Sequence, residues 1–221
     1  MKALIIALLL VVFACATCNQ QAFATESTET YLIRASLYWR PSYKIEAKSG
    51  VPRETEEQHF ARRQEIVRAV LAVANDPAEA PLFAGPHART RTALFILSVY
   101  RWESDYDLRV EQYHCAGLRK ELCDHGNAWC LGQVHPKWNY GIWPTTWSPH
   151  DLELDRKKCA IATLHVLRAA AKGCESAKNQ DKFSSYVAGN KAKCLPNKTM
   201  ALRYQSVVDW EKSDPLPAGS P

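Results

Sequence analysis

Residues 93–100 read Ala-Leu-Phe-Ile-Leu-Ser-Val-Tyr, and this run constrains the fold more than any other. A helix that meets water on one side carries polar residues there, whereas this run is apolar on every side. It is also too short to span a bilayer. Such a segment has to be surrounded by the rest of its own chain, which predicts a helix at the centre of a packed domain. Thr90 and Thr92 precede it, and Trp102, Glu103 and Ser104 follow it. A carboxylate therefore closes a helix of Leu, Phe, Ile and Val.

The flanking segments supply helical partners. From 53 to 75, Phe60, Ile66, Val67, Val70, Leu71 and Ala74 form one stripe at helical spacing. Pro77, Pro81, Gly85 and Pro86 then interrupt it. Ser148, Pro149 and Asp151 make a helix start: an N-cap, a proline at the first helical position and a carboxylate in the first turn. That helix is expected to run to Lys172, burying Ile161, Leu164, His165, Val166 and Leu167, with Gly173 as its stop. A shorter helix is expected over 176–186 and a last one over 199–210, with Leu202, Tyr204, Val207 and Val208. Residues 105–126 and 138–147 read as loop. The expected architecture is a mainly α single domain over 53–212. A loosely packed leader over 25–52 precedes it, and a disordered tail over 213–221 follows.

The N-terminus bears on compartment. Lys2, an apolar run over 3–14 and the small-x-small triplet Ala22, Phe23, Ala24 have the form of a secretory signal peptide over 1–24. An uncleaved anchor and a lipid attached at Cys15 are the competing readings. Six of the eight cysteines, Cys115, Cys123, Cys130, Cys159, Cys174 and Cys194, lie in the second half. In an exported chain they read as three disulfides formed in a periplasmic or extracellular setting. Cys174 with Cys194 is the favoured pair; the other four allow three pairings, of which Cys115 with Cys123 and Cys130 with Cys159 are preferred. Zinc is the rival use, but no C-x-x-C or H-E-x-x-H spacing occurs among these six, so no metal and no cofactor are expected. The net charge of +5 is small and dispersed. It suits an anionic surface such as cell wall and does not form a nucleic-acid-binding stripe. No segment after the leader is long and apolar enough for a membrane span.

Three strings occur in order: Trp102-Glu103-Ser104; Cys130-Leu131-Gly132-Gln133 with Pro136 after it; and Ser185-Tyr186-Val187-Ala188-Gly189-Asn190. Together, over roughly residues 55–210, they resemble the soluble lytic transglycosylase and goose-type lysozyme group. That group has Glu-Ser at a helix end, then Gly-Leu-Met-Gln, then Ala-Tyr-Asn-Ala-Gly. Cys130, Gly132, Ser185 and Val187 depart from that pattern. The stretch from Glu103 to Gln133 is also longer than usual for the group, which suggests a disulfide-tied lobe over the cleft. The resemblance implies a lysozyme-like fold and a peptidoglycan substrate. It implies Glu103 as the catalytic acid, with Ser104, Gln133, Tyr186, Ala188 and Gly189 as substrate-side residues.

The residues support part of this independently. Burial raises a carboxyl pKa, so a glutamate closing an apolar helix can hold its proton near neutral pH and donate it. Ordinary glycosidases need a second carboxylate, and none occupies a motif here. Lytic transglycosylases need one only, because the muramic acid C6 hydroxyl is the nucleophile. In the roles that the resemblance implies, Gln133 would bond a sugar hydroxyl or N-acetyl group, or else stabilise its own loop, and Tyr186 would orient the carboxyl, or else be a core tyrosine. His135 is read as a loop histidine. Trp129, Trp138, Trp143 and Trp147 are rich for one short stretch; Trp129, Trp138 and Trp143 are candidates to stack on sugars, or anchors for the loop. The expectation is thus a monomeric, exported peptidoglycan lytic transglycosylase. A lysozyme-type hydrolase and an inactive wall-binding protein on the same fold are the alternatives.

Overall fold

The computed structural model describes residues 26–40, 54–112, 123–124, 126–135, 146–188 and 194–221. Those residues are mainly helical and contain no strand; an isolated bridge pairs Trp129 with Val134. The helices are α1 (Thr28–Trp39), α2 (Glu56–Asn75), α3 (Ala88–Glu103) and α4 (Leu108–Gln112). They continue with α5 (Pro149–Leu154), α6 (Arg156–Gly173), a 3-10 turn (Asn179–Phe183), α7 (Ser184–Ala188) and α8 (Lys198–Ser213). None is long and apolar enough to cross a membrane.

The central helix is α3. Leu94, Phe95, Ile96, Leu97 and Val99 are all fully buried, with α1, α2, α6 and α8 packed around them. Its three buried threonine and serine hydroxyls are satisfied: Thr90 Oγ1 donates to the Pro221 carbonyl. Thr92 Oγ1 donates to the Ala88 carbonyl, and Ser98 Oγ donates to the Arg203 carbonyl of α8 at 2.7 Å. A buried hydroxyl without a partner would cost about 1–3 kcal/mol, so the Ser98 bond pins α8 at one register along α3.

Helix starts follow local chemistry. Thr55 and Gln58 form a reciprocal capping box at α2. Ser148 and Asp151 do the same at α5, and Asn197 accepts from the Met200 amide at α8. The helix expected from Ser148 to Lys172 is two helices. Asp155 adopts extended backbone and its carboxylate accepts from the Lys157 and Lys158 amides, so the chain stops α5 and caps α6 anew. Gly173 is the last residue of α6.

Three further expectations change. The leader is not loosely attached: α1 buries Tyr31, Leu32 and Ala35 completely, and the Tyr31 hydroxyl donates to the Asp214 carbonyl. Its apolar residues at one helical face belong to the core, a role hidden by the polar residues around them. The C-terminal tail is ordered: Pro221 O accepts from the Thr90 amide and hydroxyl, and Ser220 meets His87 Nδ1. These contacts serve the start of α3, where His87 is left-handed and provides no side-chain cap. Phe60, assigned to the buried stripe of α2, is 43% exposed because α2 turns that position to solvent. Leu202 of α8 is exposed for the same reason.

Candidate active site

Glu103 is the last residue of α3, and its geometry begins with what holds that helix end. Ser104 is buried; its hydroxyl donates to the Tyr100 carbonyl at 2.9 Å and closes the last turn. Asp105 and Tyr106 then follow with φ of 53° and 55°. Two consecutive non-glycine residues in left-handed conformation cost roughly 1–2 kcal/mol each, so the surroundings must impose the turn. They do so through arginines. Arg40 and Arg101 pair with the Asp105 carboxylate. Arg62 donates to the Tyr106 carbonyl at 3.0 Å. The fully buried Arg63 lays its guanidinium 3.5 Å from the Tyr106 ring centroid and donates to the Ser36 carbonyl. Burial pushes Arg63 down to about 10. The Tyr106 hydroxyl donates back to the Leu97 carbonyl.

On the other side stands Arg203 of α8. Its Nη2 donates to Glu103 Oε1 at 2.7 Å and its Nη1 to the Thr199 carbonyl at 2.8 Å. The Arg203 side chain is 3% exposed and the Glu103 side chain 18%. Oε2 has no protein partner among the described residues. Burial raises the Glu103 pKa, and Arg203 opposes that rise without cancelling it. The carboxyl thus has one oxygen committed to a cation and one available for a proton.

Residues 130–133 make a tight turn closed by the Trp129 and Val134 bridge, with Cys130 and Gln133 at φ of 54° and 48°. The Cys130–Cys159 disulfide ties it to α6, and Leu131 is buried beneath it. Gly132 is packed so closely on α6 that a Cβ there would lie 2.2 Å from Thr163 Oγ1. This close approach accounts for glycine at position 132. The Gly132 carbonyl accepts the Tyr186 hydroxyl at 2.5 Å. Burial, and after it the charge of Glu103, hold the Tyr186 phenol well above its usual range. Tyr186 is therefore a neutral donor that links α7, the turn and the field of Glu103.

The expected residues divide accordingly. Tyr186 feels the charge of Glu103, but its hydroxyl is given to the Gly132 carbonyl and does not orient the carboxyl as expected. Ser104 serves its own helix, and Gln133 turns its amide onto the Cys130 carbonyl, so neither is engaged with the carboxyl. Trp129 and Trp147 are half-buried anchors against the core. Ala188 ends α7. Gly189, Trp138, Trp143, Cys115 and residues 1–24 lie outside the described residues. Cys174–Cys194 joins the end of α6 to the segment after α7, and Cys123 is also disulfide-bonded. His135 lies 3.7 Å from Asp124, and burial lowers its pKa. Among the described residues no three His, Cys, Asp or Glu side chains are grouped to hold a metal.

Arg203 and Thr163 were not singled out from sequence. Arg203 reads locally as one charged residue on an amphipathic helix, and nothing near it marks a partner 100 positions away. Asp105 and Asp107, the nearest carboxylates in sequence, are held by arginines: Asp105 by Arg40 and Arg101, Asp107 by Arg109. No protein-family model, curated protein or solved structure matches the chain.

Proposed function

We propose that this chain is an exported peptidoglycan lytic transglycosylase on a lysozyme-like fold, with Glu103 as its single acid and base. The observation that carries this is the half-engaged, partly buried carboxyl at the end of α3. Arg203 occupies Oε1, burial favours the protonated form, and Oε2 is left to hold the proton. In the reaction, Oε2 gives its proton to the glycosidic oxygen as the bond from that oxygen to muramic acid C1 breaks. The resulting carboxylate, steadied by Arg203, takes the C6 hydroxyl proton while O6 bonds to C1. The products are a 1,6-anhydro end and a free sugar hydroxyl, and Glu103 is again protonated. No water is consumed and no second carboxylate is required, in keeping with aspartates 105 and 107 being occupied by arginines. The Cys130–Cys159 and Cys174–Cys194 disulfides suit an oxidising compartment.

A second reading has an observation of its own. The partly buried ion pair with Arg203 also suits a structural glutamate, and hence a wall-binding protein without turnover. Mass analysis of fragments from purified peptidoglycan separates the readings. Anhydro ends are expected; hydrated reducing ends would indicate a hydrolase, and no fragments would indicate a binder. Glu103→Gln should stay folded and lose about 10²–10⁴-fold in rate, since the amide carries no transferable proton. Near-normal turnover by that variant would remove Glu103 from the mechanism.

A further inference from the structure

Glu103 is not the only side chain at the end of α3 that reaches across to α8. The Trp102 indole Nε1 donates to Ser206 Oγ at 3.1 Å, while Glu103 meets Arg203. Ser206 and Arg203 are three residues apart on α8, so they share a face and are separated by about 4.5 Å along its axis. The indole and the carboxyl thus stand side by side against one helix. The Trp102 ring is also held on another side, by the Arg101 guanidinium 5.5 Å from its centroid.

This held ring is nevertheless 40% exposed. With a tryptophan surface of up to about 250 Å², roughly 100 Å² of aromatic surface faces water. Leu202, one turn from Ser206 on the same face of α8, is 41% exposed and adds an apolar rim. The Ser206 hydroxyl is fixed in turn by donating to the Leu202 carbonyl. An indole tied at its nitrogen has lost rotamer freedom without gaining burial, an arrangement that favours a partner stacking on its open face.

We infer that Trp102, framed by Leu202 and Ser206, is a platform for one pyranose ring directly beside Glu103. The inference rests on the saccharide-cleaving reading of Glu103 and adds a position to it. The apolar C–H face of a pyranose matches the indole in shape and polarity. A sugar on this platform lies beside the Glu103 carboxyl, so Trp102 is a substrate-positioning residue.

The test uses the full chain carrying Glu103→Gln, which binds without turnover, and tri-N-acetylglucosamine as the probe. The Trp102 indole N–H resonance, assigned by its disappearance in Trp102→Phe, should shift on titration. Trp102→Ala should weaken Kd about 10-fold or more, and Trp102→Phe less, because a ring face remains. An unmoved Trp102 resonance at saturating trisaccharide overturns the inference, as does the absence of binding; this holds even if Trp102→Ala fails to fold. Trp102-dependent binding by a protein that releases no wall fragments would support the platform and sink the transglycosylase reading. Anhydro fragments from the wild type, with kcat/KM unchanged in a folded Trp102→Ala, would sink the platform alone.

Discussion

Replacing Arg203 by methionine isolates the interaction that defines the candidate acid. The methionine fills much of the buried stem volume but removes the cation 2.7 Å from Glu103 Oε1. Two charges about 4 Å apart attract by about 4 kcal/mol at an effective dielectric of about 20. Removing one member of a buried pair typically costs about 3–5 kcal/mol, because the other is left charged and unsolvated. Glu103 can escape that penalty by keeping its proton, so the cost depends on pH. Burial already holds the folded-state pKa above the ordinary carboxyl value, and loss of Arg203 raises it further. Above the unfolded pKa the folded state then binds more protons than the unfolded one, so stability falls as pH rises until the folded pKa is passed. At pH 4 the carboxyl is largely protonated in both states, and Arg203→Met should cost about 1 kcal/mol, the value of its lost hydrogen bonds. At pH 8 the loss should approach about 3–5 kcal/mol unless Glu103 stays neutral even there, in which case the drop is spread to higher pH. Urea unfolding at the two pH values measures this, and Glu103→Leu with Arg203→Met should restore most of the stability at pH 8. The basic limb of the pH–rate profile should move upward in Arg203→Met, since the active form is the neutral acid. An equal stability loss at pH 4 and pH 8 would refute the claim that Arg203 acts on Glu103 through its charge.

Two other perturbations follow from packing. Gly132→Ala places a Cβ against Thr163 Oγ1 and should cost about 1–3 kcal/mol in chemical denaturation. Adding Thr163→Ala should recover most of it; no recovery would show that the strain lies elsewhere. Replacing Cys174 and Cys194 together by serine opens a 20-residue loop and should lower stability by about 3 kcal/mol, read as a lowered Tm. An unchanged Tm would mean that α6 and the segment after α7 are held together without the bridge.

Much of the fold was legible because its signals are short-range. The central helix follows from an apolar run with no polar face, and the burial of residues 93–97 on every side is its direct consequence. The Ser148 cap and the Gly173 stop depend on residues within one turn of the helix end. The Cys130–Cys159 and Cys174–Cys194 bonds are two of the pairings favoured from their positions beside helix ends and motifs. Asp155 was missed because a carboxylate within an amphipathic pattern reads as surface charge until the backbone shows it turned back onto two amides.

The candidate site was legible only by half. Sequence alone determined that a glutamate would terminate the most buried helix and that a tyrosine motif would follow near a helix end, since both depend on local order along the chain. The tertiary structure alone decided that Arg203 occupies one oxygen of that glutamate. It also decided that Arg40 just after α1, with arginines of α2 and α3, imposes the left-handed turn after it, and that Tyr186 reaches the Gly132 carbonyl rather than open solvent. These contacts join residues tens of positions apart, and charge or hydrogen-bonding capacity is common to many side chains of each helix. Which of them meet is set by helix register and packing, which no spacing within one segment encodes.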